Sequence, residues 1–405
     1  MHVSRIGCVA WKRRDIHKYG VALELADKRL HNPVSKRNAE VVRRFERALL
    51  SEGLTPGRVV KYLAGLKTLA EHLVTDFEDA TKEDIEDLML WVERSDYSPW
   101  TKHDFKVVIK RFYKWLRGNN EDYPPEVKWI RTTLKEKDVL LPEQLITEDE
   151  IKRMVEAAEN PRDRAFIIAL YESGARIGEI GSMNVGDVFV SPEGQYAKLR
   201  LRGKTGSREV IVVASLPYLA QWLSVHPKRS NPEAPLWVGI GTVSHGQALG
   251  YPALAKILKV TARRAGIQKR IHPHKLRHSR ATFLANKLTE AQLSAVFGWT
   301  QGSAMPRTYV HLSGRDTDDA LLGVYGLKKR VDSQPKVAPK SCPRCSALNA
   351  MDALFCVKCG LALDVRAARE VDTARAEADH VMNELIRDKE FREFLQRKMR
   401  EHGLI

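Results

Sequence analysis

The chain has 405 residues, enough for two or three domains. Its hydrophobic fraction of 43% and charged fraction of 29% are those of a soluble globular protein. No stretch approaches the roughly 18–20 apolar residues of a membrane span, and Trp11-Lys12-Arg13-Arg14 is not followed by the apolar core of an export signal. A formal charge of +16 and a pI near 9.6 favour polyanionic partners, of which DNA is the densest common one. A cytoplasmic, nucleoid-associated protein with no membrane partner is the expectation.

Residues 1–33 are polar and basic with weak periodicity and read as an N-terminal extension. From 34 to 120 the pattern is densely helical and reads as a four-helix bundle. A first helix covers about 40–50. Thr55-Pro56 starts a second, with Val59, Tyr62, Leu63, Leu66 and Leu69 at core spacing. Thr81 and Ser98-Pro99 start the third and fourth. Lys102, Lys106 and Lys110 lie on the polar face of the last, and in so basic a chain they are candidate DNA contacts.

Residues 121–143, with Pro124-Pro125 and Pro142, read as a linker. A second domain, 144–330, opens with a capping box at Thr147 and Glu150. It is expected to be α+β: helices to about Met183, a β-hairpin from 197–202 and 208–213 around Gly203-Lys204-Thr205-Gly206-Ser207, and helices again from 215 to 325. A second linker, 331–341, precedes two CxxC pairs, Cys342/Cys345 and Cys356/Cys359. In a reducing compartment this spacing reads as a structural zinc ribbon over 342–364. The last segment, 365–405, reads as one long helix. Val371, Ala374, Ala378, Val381 and Leu385 keep a 3-4-3-4 spacing, as in a short coiled coil or a helix docked on its own chain. The fold class is therefore mainly α, with one small sheet in the second domain.

The chemistry-bearing residues lie between 176 and 309. Gly174 can end one helix in a left-handed conformation, leaving Arg176 at the start of the next, beside free backbone N–H groups that suit a phosphate. His274 and Arg277 are three apart and share a helical face. Gly298-Trp299 closes a helix opened by Thr289 and Gln292, and Tyr309 follows ten residues later. Each signal is ordinary alone: most arginines after a glycine are surface residues, and most tyrosines in apolar surroundings are core.

Their order is not ordinary. Ser173-Gly174-Ala175-Arg176-Ile177-Gly178-Glu179, Lys204 in a hairpin, His272-Pro273-His274-Lys275-Leu276-Arg277-His278-Ser279-Arg280-Ala281-Thr282, Gly298-Trp299 and Tyr309-Val310-His311-Leu312 together resemble the tyrosine recombinase (phage-integrase) family. The resemblance is strong over 147–315 and only architectural in the N-terminal helices. It implies an N-terminal SAM-like core-binding domain and a catalytic domain that clamp double-stranded DNA, acting as a homotetramer on two sites.

The family's chemistry implies that Tyr309 attacks a DNA phosphate to leave a 3′-phosphotyrosine. No metal or ATP takes part. Arg176 and Arg277 would clamp the non-bridging oxygens, His274 would take or relay the tyrosine proton, and Lys204 would protonate the leaving 5′-oxygen. Glu179 would orient the His274/Arg277 side, and Trp299, where histidine is commoner, would donate its indole N–H. Arg202 and Lys275 are added as DNA contacts. His278, one past Arg277, is set aside as pointing elsewhere, and Tyr325 as lying beyond the matched segment. A type IB topoisomerase and a catalytically silent DNA-binding regulator are the alternatives on this fold.

Overall fold

The computed structural model describes residues 14–30, 34–118, 122–134, 142–203, 206–300, 302–312, 325 and 335–403. It divides into two compact units, one of residues 15–140 and one of residues 141–405 together with 1–14.

The smaller unit holds α1 (Tyr19–Arg29), α2 (Lys36–Ser51), α3 (Pro56–Ala70), α4 (Lys82–Arg94), α5 (Pro99–Leu116) and the one-turn α6 (Pro125–Lys128). The starts follow from local chemistry. Ser35, Thr81 and Ser98 each accept a backbone N–H from the first turn, and Pro56 and Pro99 occupy early positions where no donor is needed. Val42, Phe45, Leu49, Val59, Leu66, Ile109 and Phe112 form the apolar centre. Phe45 meets Phe112 edge to face at 5.3 Å. The Tyr113 hydroxyl, buried there, donates to the Phe77 carbonyl at 3.0 Å.

Two boundaries differ from expectation. The supposed extension supplies α1, whose Leu23 and Ala26 pack on this core and are followed by the fully buried Leu30. The supposed linker supplies α6, with Val127 and Ile130 in the same core. Neither segment shows a clear amphipathic period, yet a few apolar residues suffice to dock a short element on a larger core.

In the larger unit α8 (Pro161–Ser173) is buried on nearly every side, which is why its sequence shows little amphipathic contrast. Around it lie α7 (Glu148–Glu156), α9 (Ile177–Gly181), α10 (Leu216–Ser224), α11 (Tyr251–Arg264), α12 (Pro273–Ala285), α13 (Glu290–Phe297) and α14 (Met305–Leu312). Strands β1 (Val188–Val190), β2 (Ala197–Gly203) and β3 (Gly206–Val212) form an antiparallel sheet in which Leu199 pairs with Val210 and Gly203 with Gly206. Ala197, Leu199 and Leu201 face the core with Val210 and Val212, and the alternate positions face out. Glu172 fastens α8 to the sheet's exit. Its carboxylate accepts from the backbone N–H groups of Val213, Ala214 and Ser215 and from the Ser215 hydroxyl.

The run of helices expected from 215 onwards is interrupted. Between α10 and α11 the chain is loop, held by the buried Trp237, whose indole donates to the Ile180 carbonyl at 2.7 Å. Pro227, Pro232 and Pro235, with Gly239, Gly241 and Gly246, forbid a helix there. The ribbon carries β4 (Lys340–Ser341) and β5 (Leu348–Asn349) as an antiparallel pair. It docks through Asp352, which accepts from the Tyr218 hydroxyl at 2.6 Å and pairs with Arg164 at 3.5 Å. The tail is two helices rather than one, α15 (Val365–Arg387) and α16 (Lys389–Glu401). Asp388 stands between them in an extended conformation and caps α16 by accepting from the Phe391 N–H.

Candidate active site

Gly174 ends α8 at φ 57°, and a Cβ there would lie 2.4 Å from the Phe297 ring. The sharp reversal puts Arg176 at the N-cap of α9. Its backbone N–H and its guanidinium both donate to Glu179, at 2.9 and 3.0 Å. The Glu179 side chain is fully buried and also receives a two-pronged pair from Arg208 at 3.1 and 2.8 Å. Burial alone would raise this carboxyl. The hydrogen bonds and charge of Arg208, then the contacts and charge of Arg176, outweigh it and hold the group at about 2.

Glu179 therefore joins Arg176 to Arg208, and its charge also acts on Arg277. Arg208 lies on β3. No spacing rule links strand β3 to α9, so its partnership with Glu179 had no sequence signal beyond its charge in the hairpin. Arg208 also donates to the Val296 carbonyl at 2.9 Å, and a Cβ on Gly298 would stand 2.7 Å from its Nη1. At Gly203 a Cβ would lie 2.5 Å from a Glu179 oxygen, so the strand leading to Lys204 runs against this carboxylate. Lys204 itself lies outside the described residues.

Arg277 is 5% exposed and donates to the carbonyls of Gly174 and Phe297, each at 2.8 Å. Those carbonyls lie at the C-terminal ends of α8 and α13, where a cation meets the negative end of each helix. Its guanidinium also lies over the Phe297 and Trp299 rings, at 5.1 and 5.7 Å. Burial, and then Arg176, lower its pKa to about 10.

Tyr309, on α14, is 1% exposed. Its ring stacks on Trp299, and its hydroxyl is hydrogen-bonded to His278 Nδ1. His278 was set aside in the sequence because it is adjacent to Arg277, and that reading is corrected. On α12, positions four apart lie one turn above each other, so His278 follows His274 along one face and their rings are 6.3 Å apart. Burial pushes the Tyr309 phenol up to about 12, with Arg277 opposing. Burial, followed by His274, His272 and Arg277, pushes His278 down to about 4. The pair is thus a neutral phenol on a neutral imidazole. His274 keeps part of its ring open to solvent, and the partial desolvation of the rest, followed by Arg277 and Arg176, lowers its pKa. Among the described residues its ring nitrogens and the Trp299 indole N–H have no hydrogen-bond partner.

Four of the five expected DNA contacts are already engaged within the chain. Lys102 donates to the Glu93 carbonyl, Lys106 pairs with the Glu93 carboxylate, and Lys110 donates to the Ile130 carbonyl and lies over the Tyr123 ring. Arg202 is held in a two-pronged pair with Asp187. Lys275 is half-buried, and burial followed by Lys269 lowers its pKa.

In the ribbon, the sulfurs of Cys342, Cys345, Cys356 and Cys359 all lie within 4.8 Å of one another, with two pairs at 3.6 Å. Four thiolates about 2.3 Å from a tetrahedral zinc would be about 3.8 Å apart, so the cluster fits a metal without rearrangement.

The chain matches the phage integrase family over residues 144–315. It is 27% identical over 243 residues to the tyrosine recombinase XerD of Bifidobacterium longum, covering 56% of this chain and 75% of that one. It is equally identical, over 256 residues, to the tyrosine recombinase XerC of Chromobacterium violaceum, covering 60% and 81%. A solved lambda integrase dimer bound to a COC′ core site shares the fold, with a TM-score of 0.54 at 15% identity over 74% of this chain and 83% of that one. With the family match spanning the segment that gathers Arg176, Arg277, His278 and Tyr309, residues 144–315 form a domain of the phage integrase family of tyrosine recombinases.

Proposed function

We propose that this protein is a site-specific DNA recombinase that cuts and rejoins strands through a phosphotyrosine at Tyr309. The observation that carries the reading is the gathering of the Tyr309 hydroxyl, His278 and Arg277 around one point, with Arg176 and Arg208 joined beside it through Glu179.

The residues divide by chemistry. Arg176 and Arg277 neutralise the charge that grows on the non-bridging oxygens of the attacked phosphate. Arg176 is half-exposed and needs no rearrangement to do so. Arg277 keeps its place by capping two helices. As the Tyr309 oxygen bonds to phosphorus and the bond to the 5′-oxygen breaks, the phenol proton passes to His278, which the phenol already contacts. His274 and the Trp299 indole offer hydrogen bonds to the phosphate, and Lys204 supplies the proton to the 5′-oxygen. In rejoining, the 5′-hydroxyl attacks phosphorus and gives its proton back to Lys204, while the bond to the Tyr309 oxygen breaks and His278 returns its proton to that oxygen. An entering phosphate carries negative charge towards His274 and His278, which raises the basicity of both.

The buried phenol is a resting arrangement. Seating DNA must bring Tyr309 out of its apolar stack or bring phosphate to it. Structural zinc in the four-cysteine cluster holds the ribbon folded, since four thiolates leave no open position for catalysis. Double-stranded DNA is the substrate, and a tetramer on two sites is the working assembly.

A nicked suicide duplex tests the reading. The protein should become covalently joined to the 3′ end of the cut strand, with the crosslinked peptide containing Tyr309. Tyr309→Phe should bind the duplex and form no adduct. An adduct on another residue would overturn the assignment.

A further inference from the structure

The tail contains an apolar row that no described residue of its own chain buries. Beyond Ala367, none of the α15 residues is fully buried, and Val381 and Leu385 are 57% and 41% exposed. Val371, Ala374, Ala378, Val381 and Leu385 follow one stripe along the helix at alternating spacings of three and four. The next position in that series is Asp388, where the backbone leaves the helix, so stripe and helix end together.

The flanks of the stripe are charged in a particular way. Glu370, Glu377 and Glu384 line one side, while Arg375 stands on the other with Ala368 and Met382. We propose that α15 forms a parallel, in-register two-stranded coiled coil with α15 of a second copy of this chain. In that arrangement Glu370 faces Arg375 of the partner subunit, and two-fold symmetry repeats the pair on the opposite side. An antiparallel pairing would instead set the three glutamates against the three glutamates of the second helix. A stripe that is complementary to itself identifies a second copy as the occupant. Ala374 and Ala378 bring the helices close but bury little area, so the association is weak in the free chain and strengthens when two copies sit on one duplex. Pairing of the tails is separate from the strand-cleavage chemistry.

The test uses the full-length, zinc-loaded protein in a Cys8→Ser background. Leu385→Cys, at one end of the stripe, should form a disulfide between equivalent positions of two copies on mild oxidation at micromolar concentration. Asn383→Cys, on the outer face, should not. Adding Arg375→Glu to Leu385→Cys should lower the yield by about tenfold, and further adding Glu370→Arg should restore it. Three results would overturn the proposal: equal yields from positions 385 and 383, a yield insensitive to the charge reversal, or failure of the restoring change.

Discussion

The Tyr309 ring lies flat against the Trp299 indole, with 5.3 Å between centroids and 4° between planes, and Trp299 stacks in turn on Phe297 at 4.9 Å. The indole has two separable contributions: it shelves the nucleophile, and its N–H is available to a phosphate. Trp299→Ala removes both. It should cost about 2–3 kcal/mol of stability and lower the thermal midpoint by several degrees. Trp299→Phe keeps an aromatic shelf and loses only the donor. It should melt close to the parent yet cleave a suicide duplex about a hundredfold more slowly, the scale of losing one oxyanion donor. Thermal denaturation and single-turnover cleavage separate the two, and a phenylalanine variant with unimpaired cleavage would show that the indole N–H plays no part.

His278 gives the fold an acid limit. Its pKa is pushed down to about 4 in the folded chain, while an unfolded histidine titrates near 6.5. Between those values the unfolded chain binds more protons, so stability rises with pH. The contribution is complete above about 6.5 and lost as pH falls towards 4, amounting to about 3 kcal/mol. Urea midpoints measured across this window should fall with pH for the parent and fall less steeply for His278→Gln. The same variant should slow adduct formation at neutral pH by about a hundredfold, whereas His274→Gln should leave the phenol's acceptor in place. Equal pH profiles for parent and His278→Gln would remove His278 from the role.

Much of this site was legible in order along the chain and little of it in depth. Gly174 and Gly298 announced the ends of α8 and α13, and the capping box at Thr147 announced α7, because caps and turns are local chemistry. The bond between His278 and Tyr309 spans 31 positions, and that between Arg208 and Glu179 spans 29. Helical spacing along one element cannot say which face meets a distant one. It placed His274 and Arg277 together and left His278 pointing away, although α14 approaches from the side His278 occupies. Lys102, Lys106 and Arg202 show the converse limit, since a cation read as free in sequence finds a carboxylate or carbonyl once the chain is folded.

Glu179 offers a sharp test of how the arginines are held. Its buried carboxylate accepts from two guanidiniums and one backbone N–H, so Glu179→Gln keeps the shape and removes the charge. Breaking a buried ion pair from one side should cost about 3–5 kcal/mol, because Arg208 then stays buried without a counter-charge. The loss should be largest at neutral pH and shrink progressively as pH falls from about 4.5, where the unfolded carboxyl protonates, towards about 2, where the folded one does. Arg208→Met with Glu179→Gln should recover part of the stability, since the unpaired cation is gone. If Glu179→Gln proves as stable as the parent, the carboxylate is not what holds Arg176 and Arg208.

Metal removal should separate the ribbon from the chemistry. The four sulfurs are gathered tightly enough to bind one tetrahedral ion, and few apolar contacts could hold this short segment without it. Loading should give one zinc per chain. Stripping it with a strong chelator under reducing conditions should raise hydrogen exchange across residues 340–364. The Asp352 contact with Tyr218 and Arg164 should be lost with it, because a carboxylate on an unfolded loop cannot stay registered on α8 and α10. Cleavage of a suicide duplex by the stripped protein should keep the parent rate once DNA is saturating, since no metal ligand takes part in the steps proposed at Tyr309. Asp352→Ala should reproduce the undocking while retaining zinc. A stripped chain that binds DNA normally and fails to cleave would place the ribbon in the catalytic machinery, whereas loss of binding alone would make it part of the grip on DNA.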